Sequence, residues 1–179
     1  MSMSTTADRR RGAAPAAAPR PHLKRRGRKA LVVAHVLVSG TWLGAVIANL
    51  FLGISAAATS RDDLADAYYV AMDRLVNHLM PAAAIATLAT GLLLSLATKW
   101  GLLRHYWVAA KFVLAIATVV VGLAVIDGAI QETIAARAAA HSVTTSDLLL
   151  PGIIATPAML ASATILAITK PWGRTKRRR

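Results

Sequence analysis

Four long apolar segments decide most of what this chain can become. Residues 30–58, 75–98 and 148–169 contain no Asp, Glu, Lys or Arg, and residues 106–126 contain a single charge, Lys111. A bilayer core takes about 20 apolar residues per helix. In lipid every backbone polar group must be satisfied internally, so an open sheet is ruled out. The expected fold class is all-α: a polytopic membrane protein built as a four-transmembrane-helix, up-down bundle. Its transmembrane domain is read as 30–170, with spans at about 30–55, 76–98, 106–126 and 148–169. The connections 59–74, 99–105 and 127–147 are short, so consecutive helices are expected to be antiparallel neighbours.

Composition agrees. Hydrophobic residues make up 56% of the chain and charged residues 16%, against about 25% charged in a soluble domain. There is no cysteine. That excludes disulfides, thiolate metal sites, iron–sulfur clusters and a Cys nucleophile.

The charges set an orientation. Lys and Arg crowd residues 1–29, the 99–105 connection (Lys99, Arg104) and residues 170–179. The other two connections hold only Arg61, Arg74 and Arg137, together with Asp62, Asp63, Asp66, Asp73, Asp127, Glu132 and Asp147. Positive residues stay inside, so both termini are expected in the cytoplasm of a bacterial inner membrane. Trp100, Tyr106, Trp107 and Trp172 would mark that interface. The first apolar run is too long for a signal-peptide core of 7–15 residues, so it reads as a retained span. Residues 1–29 are Ala/Pro/Arg-rich and read as a disordered basic tail; 171–179 form a second basic tail. Both suit anionic inner-leaflet lipid, at about 1 kcal/mol per basic residue. No aromatic residues interleave these charges, so nucleic acid is not an expected partner.

Residues 60–75 predict an additional helix outside the core of the membrane. Leu64, Tyr68, Ala71 and Leu75 form its apolar stripe, Ser60 its cap, and Asp62 and Asp63 a favourable first turn. Thr145-Ser146-Asp147 gives a similar start to the fourth span, with Pro151 tolerated near its beginning.

Polar groups within spans mark interiors and sites. His35, Ser39, Trp42 and Asn49 share one face of the first span, and Gly40 and Gly44 form a GxxxG on an adjacent face. Thr87, Gly91, Ser95 and Thr98 make a small, weakly polar stripe on the second. Lys111, Ala115, Thr118 and Gly122 do so on the third. His35 and Lys111 each lie about five residues inside the basic edge, roughly 7–8 Å deep. Three polar faces are therefore expected to converge in the inner leaflet.

The run His35-Val-Leu-Val-Ser-Gly-Thr-Trp42-Leu-Gly44 resembles the first helix of the HemJ-type protoporphyrinogen oxidases. The run Thr90-Gly91-Leu-Leu-Leu…Trp100…Tyr106-Trp107-Val-Ala-Ala-Lys111 is similar to a later element of that group. CopD-like copper-resistance membrane proteins belong to the broader set. An uncharacterised family of bacterial four-helix membrane proteins is nearer still, on Lys99-Trp-Gly-Leu-Leu-Arg104-His105-Tyr-Trp107. The resemblance covers roughly residues 30–125. It implies haem b between the first three helices, with His35 and Lys111 as axial ligands and Arg104 and His105 near the propionates. The arginine that follows the first helix in those oxidases is absent here.

The leading expectation is nonetheless a small non-catalytic bundle that scaffolds or binds partners, with the haem protein as the alternative. Its glycine faces would serve a homo-oligomer or a membrane-protein partner. A copper-related site from His78, Met80, Met72, His141 and Met159 is a third reading. No phosphate-cradling loop, HExxH or nucleophile elbow is present, and no inverted repeat suggests a transporter.

Overall fold

A computed structural model describes residues 24–97, 106–139 and 147–169. The terminal tails, the 99–105 connection and residues 140–146 lie outside these. With them go Trp100, Trp172, Thr98, Arg104, His105, His141, Thr145 and Ser146. The described residues are all-helical, with no strand. The elements are α1 (Arg25–Ala58), α2 (Asp62–Arg74), α3 (Met80–Ala97), α4 (Tyr106–Val121), α5 (Asp127–Ala138) and α6 (Leu149–Thr169). Single π turns, Leu75–Leu79 and Gly122–Ile126, fuse α2 to α3 and α4 to α5. Four rods result, each long and apolar enough to cross a membrane. Their outer surface is apolar: Val36, Phe51, Ile85, Leu96, Val113 and Ile168 are all exposed. Such a surface is at home against lipid chains and unfavourable in water.

The rods pack in chain order around a ring. α1 lies along α2 and α3, α2 meets α5, α4 lies along α6, and α6 returns to α1. α3 and α4 touch only briefly. One end of the bundle carries Asp62, Asp66, Asp73 and Asp127; the other carries Arg25, Arg26, Arg28 and Lys29. These are the acidic and basic ends.

The acidic end is densely filled. Tyr69, Met72, Ile130, Leu149 and Ile153 are all essentially inaccessible and belong to one cluster. Two glycines allow the close approach. A Cβ at Gly53 would stand 2.4 Å from Ile153 Cδ1 and 3.3 Å from Met72 Cε. At Gly152 it would stand 3.0 Å from Ile126 Cγ1. Gly40 and Gly44 have nothing within 4 Å of such a Cβ. The GxxxG therefore contributes nothing to packing within this chain.

Several local expectations are corrected. The first helix begins at Arg25 rather than at residue 30, because a run of Arg and Lys ends the hydropathy signal without disfavouring helix. The third rod continues to Ala138 for the same reason, since Asp127, Glu132 and Arg137 are compatible with helix. In α2 the most buried stripe is Ala65, Tyr69, Met72 and Val76, one residue beyond the expected stripe, whose members are half-buried. Ser60 does not cap α2. The N-cap is Arg61, without a side-chain cap bond, and the Thr59 hydroxyl accepts from the Arg61 N–H at 3.2 Å. The π turn Leu75–Leu79 ends two residues before Pro81, which has no N–H to offer the carbonyl one turn back.

Arg137 ties α5 to α2. Its Nε donates to Asp66 Oδ1, and its Nη2 to the Asp62 carbonyl at 2.9 Å and to Asp62 Oδ1 at 3.2 Å. The guanidinium also lies 5.9 Å from the centre of the Tyr69 ring. The aspartates seen in sequence as a solvated helix start are thus tertiary partners. Its side chain is only 9% exposed, so truncation strands charge and packing together. Arg137→Ala is expected to destabilise the fold by about 1–3 kcal/mol, read from thermal unfolding in detergent. Arg137→Lys recovers only part of that, since an ammonium cannot reproduce the fork.

Candidate functional site

Toward the basic end the ring opens. A cavity of about 730 Å³ lies among α1, α3, α4 and α6, within the range of about 300–1,000 Å³ that ligand sites occupy. Its walls include His35, Ser39 and Trp42 of α1, Thr87, Gly91 and Ser95 of α3, and Lys111 and Ala115 of α4. α6 adds only Leu160, Ala163, Thr164 and Ala167. The three polar faces do converge on one space.

The arrangement follows from simple local causes. His35, Ser39 and Trp42 follow one another at spacings of four and three, so they point the same way from α1. Thr87, Gly91 and Ser95 repeat every four residues on α3. The small side chains of α3, α4 and α6 leave the volume that larger ones would fill. Gly91 has a specific part: a Cβ there would stand 3.1 Å from His35 Cε1 and 3.8 Å from Phe112 Cζ. Its absence lets the imidazole lie against α3.

The His35 ring bonds both Thr90 and the Thr87 backbone. Its Nδ1 lies 2.9 Å from Thr90 Oγ1. The Thr90 hydroxyl donates its only proton to the Ala86 carbonyl at 2.7 Å, with the Thr87 carbonyl at 3.2 Å. With the Thr90 proton on the Ala86 carbonyl, Thr90 accepts from the Nδ1–H tautomer of His35, in which Nε2 keeps a free lone pair. This is the tautomer in which a histidine binds a metal, oriented by a bond from its other nitrogen. Thr87 Oγ1 is buried and has no hydrogen-bond partner among the described residues. Ser95 Oγ spends its proton on the Leu92 carbonyl at 2.7 Å. Lys111 makes no ion pair among the described residues.

Of the four residues expected at a haem site, His35 and Lys111 share the cavity, while Arg104 and His105 lie outside the described residues. Two participants were not anticipated. Thr90 sits beside Gly91 on the edge of the small-residue stripe. Arg28 lines the basic mouth of the cavity; it stands seven residues before His35, on the same helical face, and was read only as part of a charged tail. Of the residues read as copper ligands, His141 lies outside the described residues. Met72 is wholly inside the acidic-end core and His78 is exposed. No group of three or more metal-ligating side chains from His, Cys, Asp and Glu occurs among the described residues.

A second, smaller space of about 120 Å³ lies nearer the acidic end, lined by Asn49, Met80, Thr118 and Thr156 among others. Trp42 and Leu88 line both spaces. Compared with protein-family models, characterised proteins and solved structures, the chain finds no match.

Proposed function

We propose that this chain is a bacterial inner-membrane protein that binds haem b in the cavity at its basic end, with that end in the cytoplasm. The observation that carries the reading is His35. Its Nδ1 lies within hydrogen-bond distance of Thr90, and it shares a ligand-sized cavity with a lysine that makes no ion pair among the described residues. Charge asymmetry supports the orientation.

The residues present fit such a group. His35 would ligate iron through Nε2. Lys111, on the α4 wall of the same cavity, would serve as the second ligand in its neutral form. Arg28 at the mouth suits a carboxylate. The apolar side chains of α3, α4 and α6 would enclose the macrocycle and exclude water. When bound, haem supplies one-electron redox chemistry at a potential set by its ligands and burial. The chain contributes the ligands, their orientation and the dry walls.

The test is an absorption spectrum of the detergent-purified protein from haem-replete cells, oxidised and then reduced with dithionite. A Soret band that shifts on reduction is expected. A flat spectrum above the protein band would overturn the reading. Thr90→Val removes the side-chain hydrogen-bond partner of the His35 ring while keeping shape. It is expected to weaken haem binding about 10–100-fold, measured by titration, with thermal stability largely retained.

One observation favours a scaffolding role beside this. Gly40 and Gly44 face outward with open space above them. A helix of a second copy or of another membrane protein would approach closely there.

A further inference from the structure

We infer that the small space beneath Asn49 is a water-binding site in the middle of the membrane. Asn49 is 2% exposed, and its Oδ1 has no hydrogen-bond partner among the described residues. A carbonyl left without a donor in hydrocarbon costs several kcal/mol. The side chain lines a space of about 120 Å³, several times the roughly 10–15 Å³ that one water needs. Two further polar side chains line it, Thr118 and Thr156, 2% and 3% exposed. Thr118 Oγ1 donates to the Leu114 carbonyl at 2.8 Å and Thr156 Oγ1 to the Gly152 carbonyl at 3.2 Å. Their protons are spent within their own helices, so both oxygens offer only lone pairs.

Three acceptors on α1, α4 and α6 thus face one small space. An occupant that satisfies them must donate two or more hydrogen bonds; the space opens past the exposed Ile85 and Leu123, and an acyl chain reaching in from there could not make those bonds. A metal cation is disfavoured, because no anionic side chain lines the space. Water meets every condition, including the two to four polar partners that an internal water requires. It can also satisfy either end of the Asn49 amide. The site lies between the two polar regions of the bundle. Toward the acidic end its walls reach Val76 and Ile126, next in sequence to Asn77 and Asp127, which are hydrogen-bonded to each other at 3.0 Å. Toward the basic end it shares Trp42 with the large cavity. The inference does not depend on haem.

The methionines provide the test. Met80 lines the space, Met72 is fully buried in the dry acidic-end core, and Met159 is half-buried and lines neither space. Microsecond X-ray footprinting of the full chain in lipid nanodiscs generates hydroxyl radicals from water in place. Sulfoxide formation is then read by mass spectrometry. Met80 is expected to be oxidised at least 5-fold faster than Met72 and Met159. Asn49→Leu should bring Met80 down to the rate of Met159 and leave the other two unchanged. Replacing a buried polar group by an apolar one of similar size preserves folding, and unchanged Met72 and Met159 rates verify it. A wild-type Met80 no more reactive than Met159, or a Met80 rate unchanged in Asn49→Leu, would overturn the inference.

Discussion

His35→Ala is expected to abolish the haem spectrum while leaving a folded bundle. The imidazole is half-buried, and its one side-chain bond is to Thr90. Removing it takes away no core contact of the kind made by Tyr69 or Ile153. Helix propensity even improves, since Ala is the best helix former. The loss falls on the site alone. A protein purified from haem-replete cells should lose its Soret band, with helical content and unfolding temperature close to wild type. A His35→Ala protein that retains the full wild-type spectrum would eliminate His35 as a ligand. A variant that loses both spectrum and fold would say nothing specific about ligation, and Thr90→Val then becomes the discriminating variant. It perturbs the same ring through a single hydrogen bond and leaves the imidazole in place.

The second large effect is on stability, and it contrasts two pairs of glycines. Gly53→Leu places a branched side chain where Ile153 and Met72 already sit, at a point where α1 and α6 meet. Both neighbours are fully buried in the acidic-end cluster. Overpacking of this kind costs typically 1–3 kcal/mol and sometimes more. Gly53→Leu is therefore expected to destabilise the bundle by about 3 kcal/mol, read from unfolding in mixed micelles. Gly44→Leu is expected to be neutral or slightly stabilising in the monomer, because nothing lies above that position. It would weaken association if the outward face pairs with another helix. Equal destabilisation by the two substitutions would mean that α1 packs in a different rotational setting.

These contrasts show where sequence reading succeeds and where it stops. Hydropathy measures transfer into lipid, so four long apolar runs, three of them without a charge, are enough to find four rods. It does not measure helicity, which is why Arg25–Lys29 and Asp127–Ala138 went unrecognised as helix. His35, Gly91 and Lys111 were legible because their spacing puts them on faces and their position gives depth. Thr90 was not, since its contact with His35 crosses from α3 to α1, a tertiary fact. The packing glycines were mistaken for the same reason. Gly40-x-x-x-Gly44 has the familiar spacing, yet Gly53 and Gly152 are the ones with a neighbour overhead. A motif states that close approach is possible, whereas only the rotation of the helix decides who approaches. Asp62 and Asp66 likewise look like helix-start acids until Arg137 arrives from a rod more than 70 positions away in sequence.

The brief contact between α3 and α4 has a consequence for how the site is filled. Both helices line the large cavity, and in the proposed membrane setting their seam would border the leaflet, not the aqueous phase. A hydrophobic molecule dissolved among the acyl chains meets the cavity sideways, without shedding its lipid environment for water first. Occupancy is then governed by mole fraction in the membrane. Adding empty vesicles at constant total ligand should dilute the ligand and strip the site. Diluting the aqueous volume should change almost nothing.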